Sequence, residues 1–308
     1  MKELQMSTNL VPRRSPTWSR RVKLTRHTFQ AGMVGWVLWL IWDKYTNEAT
    51  ATSPESFCPF GGFETGWTWI TTGRTVSHTH TSNLVLAGVV IILALAARGF
   101  FCGWICVLGS IQEGIRGVGI SIRNKVPALR KAGKFMDKKM ASIMKVDNII
   151  RYVRYAILAW AITGAAVTGA MVWREYDPWK AFLTILDFEF STAVVVLLTV
   201  LVLSLFMDRP FCRYACPLGA AQGLISKISP VSIERNAEKC IDCDLCNAAC
   251  PMKLPVSKRT RVTDASCIGC LECVAACPSR DALALTFTFP MKLPIISSKD
   301  QVMEEVVS

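Results

Sequence analysis

Eight cysteines carry the clearest chemistry in this sequence. Cys240, Cys243, Cys246 and Cys250 are spaced C-x2-C-x2-C-x3-C and followed by Pro251; the run repeats as Cys267, Cys270, Cys273 and Cys277 before Pro278. Thiolates at this spacing hold [4Fe–4S] clusters, whose chemistry is one-electron transfer. A cubane presents four iron corners. Three thiolates on one tight loop reach three of them, and the short spacers let backbone N–H groups turn toward the sulfurs. The fourth ligand comes from elsewhere. A proline after Cys250 or Cys277 breaks regular backbone and helps send that cysteine to the other cluster. Zinc is the competing reading, but zinc sites use paired C-x2-C knuckles with a longer gap between pairs. Ile241, Leu245, Ile268 and Leu271 read as apolar packing around the clusters.

The scaffold for these ligands is apolar. Of 308 residues, 51% are hydrophobic. Four apolar segments stand out, at about 29–42, 84–101, 155–173 and 190–207, and the last three reach the length of roughly 17–25 residues that a membrane helix needs. The expected fold class is an all-α four-helix transmembrane domain built from a duplicated helix pair, plus a small C-terminal α+β domain for two [4Fe–4S] clusters. The expected divisions are a basic N-terminus (1–27), a four-helix domain (28–228), the cluster domain (229–290) and a tail (291–308). The helices fall at about 28–45, 83–101, 152–173 and 189–207. Trp36, Trp39 and Trp42 crowd the distal end of the first, as an interfacial belt would. Ser19-Arg20-Arg21 with Ala49-Thr50-Ala51 offers a competing reading of this segment as an export signal; the internal repeat below argues for a helix.

Charge orients the scaffold. The first 27 residues hold seven Lys or Arg and one acid, and the stretch 102–148 holds nine against three, whereas 43–81 holds two against four. The positive-inside rule places both termini, the basic loop and the cluster domain in the cytoplasm, with the protein multi-pass in the inner membrane. The net charge of +12 is thus a topology signal, and no nucleic-acid recognition motif accompanies it. Arg116, Arg123, Lys125, Arg130, Lys131, Lys134, Lys138 and Lys139 suit anionic headgroups or an acidic donor. Thirteen cysteines facing a reducing compartment imply metal or redox work, not disulfides.

The membrane part contains two copies of one unit. Phe101-Cys102-Gly-Trp-Ile-Cys106-Val-Leu108-Gly109 reads against Phe211-Cys212-Arg-Tyr-Ala-Cys216-Pro-Leu218-Gly219, and Gln112 matches Gln222. On the other side, Phe57-Cys58-Pro59-Phe60 reads against Tyr176-Asp177-Pro178-Trp179. In helical backbone a C-x3-C pair shares one face, and a pseudo-twofold axis between the helices makes Cys102, Cys106, Cys212 and Cys216 face each other. Three roles fit them: ligands of a further iron–sulfur cluster, redox-active dithiols, or inert small core residues. Duplication argues against inertness. Cys58, the odd thirteenth cysteine, has Asp177 as its counterpart.

Four helices, paired C-x3-C motifs and the doubled ladder resemble the NapH/MauN family of membrane-bound ferredoxins, within a wider group that includes NosR-like and CcoG-like proteins. The similarity covers about residues 28–280, and Phe211-Cys212-Arg-Tyr-Ala-Cys216-Pro217 after an apolar helix is its most specific part. The resemblance to two-cluster ferredoxins implies one cluster on Cys240, Cys243, Cys246 and Cys277 and a second on Cys267, Cys270, Cys273 and Cys250. It also implies an electron-transfer subunit of a quinol dehydrogenase complex, exchanging electrons between the quinone pool and a cytochrome c or iron–sulfur partner on the outer face. The alternative is an assembly factor whose C-x3-C pairs cycle as dithiols; a soluble carrier merely tethered to the membrane leaves those pairs unexplained. No C-x-x-C-H, nucleotide fingerprint or opposed histidine pair is present. A quinone site needs a greasy cleft and a proton-exchanging group; Glu64 is the candidate for proton exchange, with Asp177, His78 and His80 near Trp67, Trp69, Trp173 and Trp179.

Overall fold

The computed structural model describes residues 16–47, 58–77, 79–126, 147, 149–184 and 191–287. Helix α1 (Pro16–Thr46) opens on proline, which suits a first helical position, and runs through the basic stretch into the first apolar segment. It starts earlier than the apolar pattern suggested because Lys and Arg are good helix formers. The aromatic–Pro–aromatic knot around Pro59, whose counterpart lies around Pro178, leads into α2 (Pro59–Thr72), ended by left-handed Gly73. Helix α3 (Thr81–Ala97) stops at Arg98, whose φ is 58°. A π-helical turn, Phe101–Ile105, and then α4 (Val107–Lys125) follow. The second half repeats this order as α5 (Val153–Thr168), α6 (Pro178–Leu183), α7 (Thr192–Phe206), α8 (Pro210–Tyr214) and α9 (Pro217–Ser226). Arg130, Lys131, Lys134, Lys138, Lys139, His78 and the tail 291–308 lie outside the described residues.

All four apolar segments are helical, but among the described residues no helix is long and apolar enough to cross a membrane. The most apolar, α3 and α7, have 17 and 15 residues.

The two halves interleave. Helix α4 packs on α7 and α9 packs on α3, so each helix that follows a C-x3-C motif lies on the other half's apolar helix. The knots also cross: α2 packs on α5, and Leu183 of α6 joins Val37 and Ile41 of α1. Ala161, Ala193 and Ala220, all within the main core, let the helices approach closely.

The cluster domain adds an antiparallel sheet of β1 (Val231–Arg235), β2 (Arg261–Val262) and β3 (Leu283–Phe287) in the order β2-β1-β3. Ile233 stands opposite both Val262 and Leu285. Two short helices, α10 (Leu245–Ala249) and α11 (Glu272–Ala276), pack together. Ile233, Met252, Leu254, Val256 and Val262 form the core beneath the cysteines.

Close backbone approach and buried charge join the cluster domain to the helices. A Cβ at Gly99 would stand 2.5 Å from the Cys267 carbonyl oxygen, one at Gly103 2.3 Å from that of Ile268, and one at Gly223 2.3 Å from that of Ala265. Glycines from both halves thus seat one loop. The Trp104 indole donates to the Gly269 carbonyl at 3.2 Å. Beside this contact, Glu113 accepts from Arg26 at 2.5 Å and from Arg209 at 2.8 Å. Arg26 also reaches Glu272 of α11 at 2.7 Å and the Gly103 carbonyl at 3.1 Å. Arg209 donates to the Cys102 carbonyl at 2.6 Å. Burial alone would raise the Glu113 carboxyl, but Arg209 and Arg26 outweigh it and hold it at about 2.

Two outcomes are expected. Gly103→Ala should force the domains apart and lower the melting temperature by several degrees, whereas Gly114→Ala, with open space around its Cβ, should be neutral or stabilising by up to about 1 kcal/mol; thermal denaturation of the purified chain compares them, and equal melting temperatures would contradict the tight seam. For Glu113, the folded value lies below the usual 4.5, so its stabilisation is fully present above about pH 4.5 and disappears as pH falls toward 2. At one pKa unit per 1.36 kcal/mol this is on the order of 3 kcal/mol. Glu113→Gln should therefore destabilise the protein at pH 7, with the difference from wild type closing in acid, as chemical denaturation across pH would record.

Candidate iron–sulfur centres

Each ladder folds the same way. Asp242 and Asp244 in the first loop, and Gly269 and Leu271 in the second, have φ between 47° and 61°. Alternating hand of this kind turns successive N–H groups into a concavity that favours negative charge. The third cysteine of each ladder sits on a short helix, Cys246 on α10 and Cys273 on α11. The fourth ends that helix in extended backbone, with ψ 115° at Cys250 and 119° at Cys277, as a residue before proline must be. That extension carries it away from its own loop. Cys250 lines one cavity with Cys267, Cys270 and Cys273. Cys277 lines another with Cys240, Cys243 and Cys246. Both donor sets fit a four-iron cluster, with four sulfurs around each space. Among the described residues no group of three or more His, Cys, Asp or Glu is drawn together tightly enough to hold a metal ion. Ile268 is buried, Leu271 packs on the core beneath the cysteines, and Ile241 and Leu245 are exposed, so apolar cover is heavier over the second set.

The C-x3-C cysteines converge by a route the helical spacing did not anticipate. Cys102 lies in the π-helical turn and Cys212 in α8. Cys106 and Cys216 leave helical geometry, with ψ 111° at each, and cap the starts of α4 and α9. The Cys216 sulfur accepts from the Gly219 N–H at 3.3 Å, whereas Cys106 occupies the same position before α4 without a side-chain cap bond. The glutamines cross the axis. Cys102 donates to Gln222 Oε1 at 2.6 Å, and Gln112 Nε2 donates to Cys212 at 3.6 Å. Each half's buried glutamine thus holds the other half's first cysteine. The four sulfurs share the wall of a cavity of about 220 Å³. Cys267 of the second ladder lines one end of it, and Cys58 and Asp177 another.

At the knots, the Cys58 thiol donates to Asp177 Oδ2 at 3.6 Å, so the two equivalent positions meet. Glu64 is 1% exposed beside them. Its Oε1 has no hydrogen-bond partner, nor has Trp179 Nε1. Burial raises the Glu64 carboxyl to about 8, with Asp177 adding to the effect. Trp173 and Trp179 line the cavity, whereas Trp67 and Trp69 point outward; His80 caps α3 and lines neither this cavity nor the one around Glu64. The residues that spacing arguments missed are the buried Arg26, Arg98, Arg154, Arg209 and Arg213 and the half-buried Glu113. Arg98 and Arg209 had a visible signal, each being a lone cation at the end of an apolar run.

Comparison with known proteins agrees with this geometry. The family described as "4Fe-4S dicluster domain" matches residues 232–278, and that described as "4Fe-4S binding domain" matches twice, at 79–126 and 191–236. The second family thus covers both C-x3-C segments. The chain is 29% identical over 301 residues to a putative electron transport protein, YccM, of Escherichia coli, spanning 93% of this chain and 79% of the relative. It is 31% identical over 202 residues to the uncharacterized protein MJ0750 of Methanocaldococcus jannaschii, spanning 65% of this chain and 77% of the relative. It is 26% identical over 178 residues to the ferredoxin-type protein NapH of Haemophilus influenzae, spanning 56% and 55%. NirI, NosR and MauN are further relatives at 28–30% identity. No solved structure matches. The ladders, the doubled C-x3-C unit and these relatives together place the chain in the NapH/MauN-type group of ferredoxin-type proteins, as an iron–sulfur electron-transfer protein.

Proposed function

We propose that this chain relays electrons between the quinone pool and a partner redox subunit, seated in the inner membrane with its cluster domain in the cytoplasm. The observation that carries the reading is the cavity on the pseudo-twofold axis, which joins the Cys58–Asp177 contact, the four C-x3-C sulfurs and Cys267 along one apolar path. The membrane seat is supported by outward apolar faces. Val85, Val89 and Ile92 of α3 and Val195, Leu198 and Val202 of α7 are exposed, as are Trp36, Trp39 and Trp42 at the distal end of α1. These faces are large for a surface in water. At 1.5 Å per residue α3 is about 25 Å long, close to the roughly 30 Å that a bilayer core needs, and the chain changes direction at Arg98 before the Phe101–Ile105 turn.

The ladder sets read as cluster ligands in the crossed arrangement: Cys240, Cys243, Cys246 with Cys277, and Cys267, Cys270, Cys273 with Cys250. Cys102, Cys106, Cys212 and Cys216 read as ligands of a further iron–sulfur cluster. When bound, such clusters supply one-electron chemistry. The dithiol alternative fits less well. Burial pushes all four thiols up, Cys212 to about 11, and a dithiol reductant needs thiolate at neutral pH. A metal deprotonates a coordinating thiol outright, and the Gly219 N–H then stabilises the charge on the Cys216 sulfur.

The knot end suits a quinone ring. Trp179 Nε1 offers an unused donor, and Glu64, held neutral by burial at pH 7, offers an exchangeable proton. The outer partner is a cytochrome c or an iron–sulfur protein.

Chemical analysis tests the four-thiol site: a third cubane requires about twelve irons and about twelve sulfides per chain, and Cys212→Ser should bring both to about eight. A wild-type value of about eight ends the third-cluster reading. The proton role predicts that Glu64→Gln slows quinol oxidation by about 10²-fold, the lower range for a lost general acid or base, while cluster content holds; unchanged turnover removes Glu64 from the site.

A further inference from the structure

Five arginines are buried: Arg26 and Arg209 at 0% exposure, Arg98 and Arg154 at 3%, and Arg213 at 4%, the last paired with Asp147 at 2.7 Å. A guanidinium taken out of water costs several kcal/mol unless a counter-charge meets it. Arg26 and Arg209 have theirs in Glu113 and Glu272. Arg98 and Arg154 do not, for among the described residues no carboxylate lies within ion-pair distance of either. Arg98 donates to the Val231 and Asp264 carbonyls at 3.4 and 3.2 Å. The Asp264 carboxylate itself pairs with Arg259 at 3.6 Å. Arg154 donates to the Ser266 and Tyr155 hydroxyls, both at 2.9 Å. Among the described residues the Nε of each has no hydrogen-bond partner.

Sulfur is the common feature of their surroundings. The Asp264 carbonyl that receives Arg98 also receives the Cys267 N–H, at 3.0 Å. The next residue, Gly99, lies so close to this loop that a Cβ on it would stand 2.5 Å from the Cys267 carbonyl oxygen. Arg154 lines the cavity with Cys102, Cys106, Cys212, Cys216 and Cys267. Four thiolates around a [4Fe–4S] core carry net negative charge, the charge both arginines lack. We propose that Arg98 and Arg154 are positioning residues that supply the fixed counter-charge for two anionic centres: Arg98 at the set Cys250, Cys267, Cys270 and Cys273, and Arg154 at Cys102, Cys106, Cys212 and Cys216. The Arg154 half rests on the four-thiol reading above; the Arg98 half needs only the ladders.

A fixed cation stabilises the more negative, reduced form of a neighbouring centre. Redox titration of the full chain followed by electron paramagnetic resonance, with iron and sulfide analysis, reads this directly. Arg98→Gln should lower the reduction equilibrium constant of one ladder centre about tenfold, which is about 59 mV for one electron, and leave the other unchanged. Arg98→Lys should hold the wild-type value. Arg154→Gln should lower the potential of the third centre or release its iron, and Arg154→Lys should retain both. Wild-type potentials and iron content in both glutamine variants overturn the proposal. About eight irons in the wild type removes the four-thiol centre and the Arg154 half with it, while the Arg98 result stands by itself. If Arg98→Gln does not accumulate, Arg98→His can be titrated at about pH 5.5 and 8, either side of the ordinary imidazole value of about 6.5. A potential that falls with rising pH more steeply than in wild type supports the proposal, and a wild-type slope overturns it.

Discussion

Glu113 is the point on which the structure depends. One carboxylate on α4 is shared by Arg26 of α1 and Arg209 at the mouth of the second C-x3-C motif. Through Arg26 it is tied to Glu272, between two cysteines of the second ladder. Both arginines also grip main-chain carbonyls of the first motif, Gly103 and Cys102. Buried ion pairs give little net stability, because desolvation offsets their attraction, but a half-broken pair is strongly unfavourable. The lattice therefore acts as a registration device. It admits one placement of the first helix, both cysteine turns and the cluster domain, and penalises every other.

Duplication gives the rest of the site its form. Gln112 and Gln222 each reach across the axis to the other half's first cysteine, while Cys106 and Cys216 each cap their own half's next helix. Cys58 meets Asp177 by the same rule. Because α4 lies on α7 and α9 on α3, neither half can bury its apolar face without the other. The cavity follows from that interleaving, and its walls are largely apolar apart from sulfur, Lys44, Asp177, Arg154, Gln222 and Ser266. In such surroundings the few charges present are screened less than they would be in water, so the buried arginines bear on the sulfurs more than the many basic residues outside.

The ladders were legible at once, since short-range spacing sets their chemistry and proline sets the direction of Cys250 and Cys277. The repeat was legible too, and with it the meeting of Cys102, Cys106, Cys212 and Cys216. The geometry at those cysteines was not. A C-x3-C pair in helical backbone shares a face, but Arg98 and Arg209 adopt φ of 58° and 49° and end the regular helix first. The start of α1 was missed because a polar first turn leaves no apolar period to read. Glu113 was counted only as one acid in a basic loop.

The sequence by itself determined which atoms can hold iron, how many times the unit occurs and which segments are apolar, since these properties belong to residue type and local spacing. Tertiary structure alone decided which glutamine serves which half and which of the 35 basic residues lie beside sulfur. Those are contacts between residues 77 to 246 apart. No local pattern encodes them, because they arise only when burial of apolar faces brings charged groups together and leaves them no water to turn to.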